Sequence, residues 1–241
     1  MVDFTLSEEQ QMLQELAREF AMENVRPMAE HWDENSEFPM EAIEAAHELG
    51  LMNLHIPEAY GGMGMGTLDE VVVQEEFAWG DPGFATASYS NGLTAAPIIT
   101  GGTEEQKSKY LGRLTEAPRI AAYAVTEPGA GSDVASIQST AVKDGDHYVL
   151  NGSKMWITGA GKADWFFVLA YTDKSAGYKG MSAFIVESAW DGVSLGKKDT
   201  HMGQRASDTR SVNFEDVQVP AVSYTHLRAH ETREDRGWRG G

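Results

Sequence analysis

Two runs, Tyr123-Ala-Val-Thr-Glu-Pro-Gly-Ala-Gly-Ser-Asp133 and Asn151-Gly-Ser-Lys-Met-Trp-Ile-Thr158, decide how this chain reads. The first is an apolar strand-like segment that ends in a glycine-rich bend, where backbone N–H groups are free to meet an anion. The second is a strand-like segment that presents a large aromatic and a hydroxyl. Together they offer a flat anionic ligand three kinds of contact. N–H groups and Ser132 suit a pyrophosphate, the Trp156 face suits a ring, and the Thr126 and Thr158 hydroxyls suit ring edges. On pattern alone, an ordinary loop between strands also accounts for Gly129 and Gly131. The third glycine of a dinucleotide fingerprint is absent after Gly131, and no Gly-Lys-Ser/Thr follows, which excludes a P-loop.

Strict alternation along the second run puts Lys154, Trp156 and Thr158 on one face and Met155 and Ile157 on the other. The apolar pair is expected to face the core, with Trp156 on the more polar side. Both a packing role and a ligand role stay open for the indole. Glu127, followed by Pro128 at a turn, reads as a solvated loop carboxylate rather than a catalytic base. Asp133 reads as a cap for a following turn. Met63 and Met65, in a glycine-rich loop, read as core filler or as the border of an acyl slot.

Outward from these runs the chain has two characters. Beyond Arg119 the segments are short, β-branched and aromatic. Asp144-Gly145 and Asn151-Gly152 stand between them as hairpin signals. Further strands are expected at 165–171, 181–187 and 211–219, and the even spacing predicts an antiparallel β-barrel or sandwich. Before Arg119 the periodicity is helical. Ser7 with Gln10 forms a capping box for a helix over 7–32, interrupted by Pro27. A second helix is expected from Pro39 to Gly50 and an extended piece over 51–57. Thr67 with Glu70 reads as the box of a third helix running to Trp79. One buried helix is expected over 84–99, and Thr103 with Gln106 caps the last. The domains predicted are therefore 1–118, all-α, and 119–220, β-barrel.

Residues 221–241 fit neither pattern. They carry four arginines and no period, and Val222 to Thr232 resembles translated vector or adapter sequence, so a non-native tail is expected there. His226 and His230 have a helical i, i+4 spacing without a third ligand, and no metal site is assigned.

Composition narrows the function classes. The formal net charge of −18 disfavours nucleic acid and anionic membranes as partners. The absence of cysteine excludes disulfides, iron–sulfur clusters and thiolate zinc sites. No Gly-x-Ser-x-Gly stands in the chain, against a serine hydrolase. The first residues lack a signal-peptide pattern, and no apolar run reaches the roughly 20 residues of a membrane helix. A soluble intracellular protein is the default expectation.

The two opening runs, with Met202-Gly-Gln-Arg-Ala-Ser-Asp-Thr209 and Leu51-Met-Asn-Leu-His-Ile-Pro-Glu-Ala-Tyr-Gly-Gly62, resemble the acyl-CoA dehydrogenase family, most nearly its medium-chain members. The likeness covers residues 3 to about 220. It implies an all-α N-terminal domain, a β-barrel middle domain and a C-terminal four-helix bundle, here absent. It implies FAD as cofactor, with Tyr123, Val125, Thr126, Gly131, Ser132, Trp156, Ile157 and Thr158 at the flavin and Ser132 also at the CoA part of the substrate. The implied reaction is α,β-dehydrogenation of an acyl-CoA thioester in fatty acid β-oxidation. Its acceptor is an electron-transfer flavoprotein, its assembly a homotetramer, and its compartment a bacterial cytoplasm or a mitochondrial matrix. The family's glutamate base lies in the C-terminal domain, so no catalytic residue is assigned here. The chain as written is expected to be inactive and to bind FAD weakly. An acyl-CoA oxidase of the same fold, or a non-catalytic acyl- or flavin-binding module, are the competing expectations.

Overall fold

The computed structural model describes residues 5–225. Its first helix, α1 (Glu8–Phe20), starts on the expected box. Ser7 Oγ accepts from Gln10 N at 3.2 Å, and Gln10 Oε1 accepts from Ser7 N at 3.1 Å. The chain then loosens into a π turn, Ala21–Val25, and a 3₁₀ turn, Arg26–Met28, where Pro27 supplies no amide hydrogen. It tightens again as α2 (Ala29–Asn35). α3 (Met40–Glu48) forms where the second helix is expected, with Pro39 just outside it at the N-cap position and its end two residues short of Gly50. The piece after it is not extended. Asn53, at φ +60°, turns the chain back and donates to Leu114 O at 2.7 Å, and among the described residues no strand pairs with this piece to hold an extended form.

α4 (Thr67–Gly80) starts one residue earlier than its predicted box. Gly66 is the cap, held by Asp69, while Glu70 is engaged with His55. The single helix expected over 84–99 is two, α5 (Pro82–Ser88) and α6 (Ser90–Gly101), offset at Tyr89. The Asp81 carboxylate starts α5 by accepting from Gly83 N and Phe84 N. The Thr103–Gln106 box forms as read and opens α7 (Glu104–Gln106), which passes through a π turn into α8 (Gly112–Glu116). Phe84 stands at the centre of the helical core. Its ring centroid is 5.0 Å from Phe77 and 6.1 Å from both Phe20 and Trp32.

The second half is one curled sheet of β1 (Ile120–Ala124), β2 (Thr140–Asp144), β3 (His147–Thr158), β4 (Ala163–Tyr171), β5 (Met181–Glu187), β6 (Val193–Leu195), β7 (Thr209–Pro220) and β8 (Tyr224–Thr225). The strand order is β6-β7-β3-β2-β4-β5-β8, with β1 beside β4. The path ends on β6 and β8, so it is a half-barrel. It is also mixed rather than purely antiparallel. β1 runs parallel to β4 over Ile120–Ala124, and β2 meets β4 in parallel at Thr140 and Tyr171. Turn dipeptides report only hairpin neighbours. A parallel pair joined by a long crossover leaves no such mark.

Of the two hairpin signals, Asp144-Gly145 is a turn, with Gly145 at φ +60°. Asn151-Gly152 is not. β3 runs straight through it with a register shift against β7. Gly152 is needed there for a close approach, since a Cβ would fall 2.1 Å from Ser139 Oγ. The chain also stays with the sheet past Pro220. Phe184 pairs with Tyr224, whose ring stacks on Tyr148 at 5.0 Å, and Gln106 Nε2 donates to Val222 O and Tyr224 O. A two-residue edge strand has too few residues to show a period. His226 and His230 lie outside the described residues.

The helices lie on one face of the sheet, and α6 covers the free edge of β1. Asn91 Oδ1 accepts from Ala121 N at 2.8 Å, Asn91 Nδ2 donates to Arg119 O at 2.8 Å, and Ser90 Oγ donates to Ala121 O at 2.6 Å. These side chains do for β1 what a neighbouring strand would do. Asn91→Ala leaves a buried N–H and a carbonyl unpaired. It is expected to lower stability by about 1–3 kcal/mol, read from urea denaturation. Among the described residues, no helix is long and apolar enough to cross a membrane.

Candidate functional site

β1 leads directly into the glycine bend, and its shape follows from local bonds. Glu127 N donates to Ala130 O at 2.9 Å and Ala130 N to Glu127 O at 3.1 Å, closing a tight turn over Pro128 and Gly129. Gly129, Gly131 and Ser132 are exposed, and no heavy atom lies within 4 Å of a Cβ placed on either glycine. The N–H groups of Gly129, Gly131 and Ser132 meet no acceptor among the described residues. The bend is thus an open row of donors.

β3 lies beside this bend. Met155 N donates to Thr126 O at 2.9 Å, so Thr126, two residues past the end of β1, and the residue before Trp156 are fastened together. Here the alternation read from sequence fails. The ladder between β3 and β7 shifts between Lys154 and Ile157, and Trp156 sits at φ +58°, in the left-handed region that bulky residues avoid. The bulge spoils the two-residue period. Lys154 is 0% exposed and faces inward with Ile157, while Trp156 alone turns out and is 59% exposed.

Glu127 is likewise no solvated carboxylate. It is 4% exposed and pairs with Lys154, whose Nζ reaches Glu127 Oε1 at 2.8 Å, Val125 O at 3.1 Å and Leu169 O at 2.7 Å. Ser139 N and Oγ also donate to Glu127, as does Gln138 N. Burial pushes the Glu127 carboxyl up, but Lys154 and these donors outweigh it and hold it below the usual glutamate range. Burial pushes the Lys154 ammonium down, against the pull of Glu127.

Trp156 and Thr158 line a groove of about 500 Å³ together with Thr86, His201, Gly203, Gln204, Ser207 and Thr209. The far wall is set by two elements. Thr86 Oγ1 on α5 donates to Gln204 Oε1 at 2.9 Å, and Asp208 accepts from Gly159 N and Gly161 N at the end of β3. Gln204 is also in the left-handed region, at φ +54°. Two strained residues on one groove are the pattern seen where backbone strain serves a site.

The residues proposed from sequence separate into two groups. Thr126, Gly131, Ser132, Trp156 and Thr158 present hydroxyls, N–H groups or a ring face on accessible surface, though the groove itself takes in only Trp156 and Thr158. Tyr123 stacks on Phe167 at 5.3 Å, and Val125 and Ile157 are buried, so the last two can offer a ligand their backbone only. The wall from His201 to Thr209 was not assigned from sequence. Its signal was present in the Met202-to-Thr209 run, but nothing in the residue types pointed to a ligand. A ring-shaped cofactor with phosphates fits this arrangement. An aromatic face is held open at some conformational cost, hydroxyls stand around it, and donors without acceptors lie across the bend.

Two family models match the chain. The acyl-CoA dehydrogenase N-terminal domain covers residues 7–117 and the acyl-CoA dehydrogenase middle domain covers residues 122–217. A probable medium-chain specific acyl-CoA dehydrogenase 2 of Caenorhabditis briggsae mitochondria is 49% identical over 222 residues, 91% of this chain and 54% of that protein. Among solved structures, a chain from the electron transferring flavoprotein of Acidaminococcus fermentans superposes with a TM-score of 0.91 at 40% identity. That match covers 95% of this chain and 60% of that one. The acyl-CoA dehydrogenase of Bacillus anthracis complexed with FAD gives 0.85 at 37% identity, over 93% of this chain and 39% of that one. The chain therefore spans about half the length of the curated relatives it matches.

Proposed function

The chain belongs to the acyl-CoA dehydrogenase family, and on that premise we propose that it forms the flavin side of an enzyme that desaturates acyl-CoA thioesters between the α and β carbons. The observation that carries this is the exposed Trp156 indole, held out by a left-handed backbone beside Thr158. FAD, when bound, supplies the acceptor that takes the β-hydrogen as hydride while the α-carbon loses a proton.

The chain's own residues bind and orient. Trp156 offers a stacking face to the ring system. The Thr126 and Thr158 hydroxyls would hold the ring edge as hydrogen-bond donors, the kind of group that stabilises negative charge there. The N–H groups of Gly129, Gly131 and Ser132 would hold the phosphates, which lets a strongly acidic protein bind an anion. The Ser132 hydroxyl also meets the CoA part of the substrate. The open side-chain positions at the bend and groove support this division of labour.

Among the described residues no carboxylate lines the groove, and Glu127 is held by Lys154 inside the sheet. We therefore propose that the 241-residue chain by itself does not remove the α-proton. Octanoyl-CoA with a dye acceptor is the assay, and measurable turnover would contradict this. A medium-chain preference is the reading that the relative's name supports. An electron-transferring flavoprotein is the proposed electron acceptor, with the assembly a homotetramer and the compartment either a bacterial cytoplasm or a mitochondrial matrix.

The cofactor assignment is tested at Trp156. Trp156→Gly removes the ring and suits the positive φ. It is expected to leave thermal stability unchanged or raise it by up to about 1 kcal/mol, while FAD affinity falls about tenfold through loss of stacking. Thermal melts and an FAD titration followed by NMR read the two effects. Equal FAD affinity in the variant would sink the assignment.

A further inference from the structure

Two opposite charges lie buried behind the proposed cofactor face, each close in sequence to a residue of that face. Glu127 follows Thr126, and Lys154 precedes Trp156 by two residues. All three protons of the Lys154 ammonium have acceptors: Val125 O, Glu127 Oε1 and Leu169 O. The first two lie just past the end of β1 and at the start of the bend, and the third is on β4. Glu127 in turn gathers Gln138 N, Ser139 N and Ser139 Oγ from the segment that enters β2. The pair therefore ties β3 and β4 to the segment leaving β1, the glycine bend and the segment entering β2 at one point.

A regular strand would carry Lys154 and Trp156 on the same face. A lysine drawn inward by three acceptors and a tryptophan turned outward cannot both be met without an extra residue between them. The shift in the β3–β7 ladder between Lys154 and Ile157 supplies it, and the left-handed φ of Trp156 is its conformational cost. Nothing else in the local sequence favours that conformation, because tryptophan disfavours it and neither neighbour is glycine. Met155 N to Thr126 O then locks the bend against the bulge.

We propose that Lys154 and Glu127 are positioning residues, a buried pair that drives the bulge in β3 and so presents Trp156 and Thr126 side by side on the open face. What that face meets rests on the flavin reading; that the pair sets its shape does not. Neither residue touches the groove, so the pair acts through its neighbours.

The test uses the 241-residue chain with Lys154→Met, Glu127→Gln and the double variant. Each is also made with Trp156→Phe as an emission blank. The difference spectrum isolates Trp156, and acrylamide quenching of it reports indole exposure with no ligand present. The quenching constant is expected to fall about threefold in each single variant and no further in the double, because the two residues act as one unit. The double variant leaves no unpaired buried charge and guards against loss of fold, which circular dichroism checks. A folded double variant whose Trp156 quenches as in the parent overturns the proposal. In parallel, the FAD dissociation constant from NMR is expected to rise about tenfold in the singles and the double alike. If the parent itself shows no FAD-dependent shifts, the flavin reading fails, and the quenching arm still decides the positioning claim.

Discussion

Lys154→Ala is expected to cost the folded chain about 3–5 kcal/mol, because it leaves the Glu127 carboxylate buried without its counter-charge. For a chain of this size that is a fall in Tm of roughly 6–20 °C. The loss is not that of a surface ion pair, which is worth little. Both partners are sealed inside the sheet, and two carbonyls, Val125 O and Leu169 O, lose their donor in the same step. The deficit also depends on pH in a defined direction. In the parent, the Glu127 carboxyl lies below its ordinary range, so its contribution is present above about pH 4.3 and is lost as pH falls through the folded value. Without Lys154 that depression weakens, so the gap between parent and variant narrows in acid. Glu127→Gln with Lys154→Met is expected to recover most of the stability, since a neutral pair carries no desolvated charge. Urea denaturation at neutral and acid pH measures all three. An alanine variant as stable as the parent at neutral pH would show that the pair is solvated.

Phe84→Ala is expected to cost about 3–5 kcal/mol, the range for emptying an aromatic site in a core that cannot collapse. Phe84 is fully buried and is the ring that Phe20, Trp32 and Phe77 all face, so its loss leaves a cavity bordered by α1, α2 and α4. The effect reaches the groove as well. α5 carries Phe84 on one side and Thr86 on the other, and a Cβ on Gly83 would lie only 2.9 Å from that of Ala206. A loosened α5 therefore frees the wall that Thr86 and Gln204 make together. Urea denaturation gives the energy, and broadened amide signals at 203–207 report the wall. Unchanged signals there, with the energy lost, would mean that the wall is held by the sheet alone.

What could be read from sequence is what local chemistry sets. The Ser7–Gln10 and Thr103–Gln106 boxes, the helix start at Pro39 and the Asp144-Gly145 turn all formed because each depends on one residue or on neighbours within three positions. The Thr67–Glu70 box did not, because His55, fifteen residues upstream of Glu70, took that carboxylate. The parallel pairing of β1 with β4 was hidden, since no turn residue marks it. Asn151-Gly152 misled because the glycine answers to Ser139, a contact across strands, and not to a turn.

The site followed the same division. Trp156, Thr126 and Thr158 were legible as residue types, and the structure leaves all three open or half-buried. The alternation that placed Lys154 beside Trp156 failed because a buried charge pair overrides the strand period, and Glu127 gives no sign in sequence of the partner 27 residues away. The wall from His201 to Thr209 lacked any residue type that announces a ligand, and only the fold brings it opposite Trp156.

The central claim is that the glycine bend and the Trp156 edge of β3 together receive FAD. It is tested most directly by titrating the 241-residue chain with FAD to millimolar concentration under two-dimensional NMR, a method that reports weak binding. The expected result is saturable shifts at the Trp156 indole N–H and at the amides of Thr126, Gly129, Gly131, Ser132 and Thr158. Shifts that gather elsewhere, or none at these positions, would contradict the account.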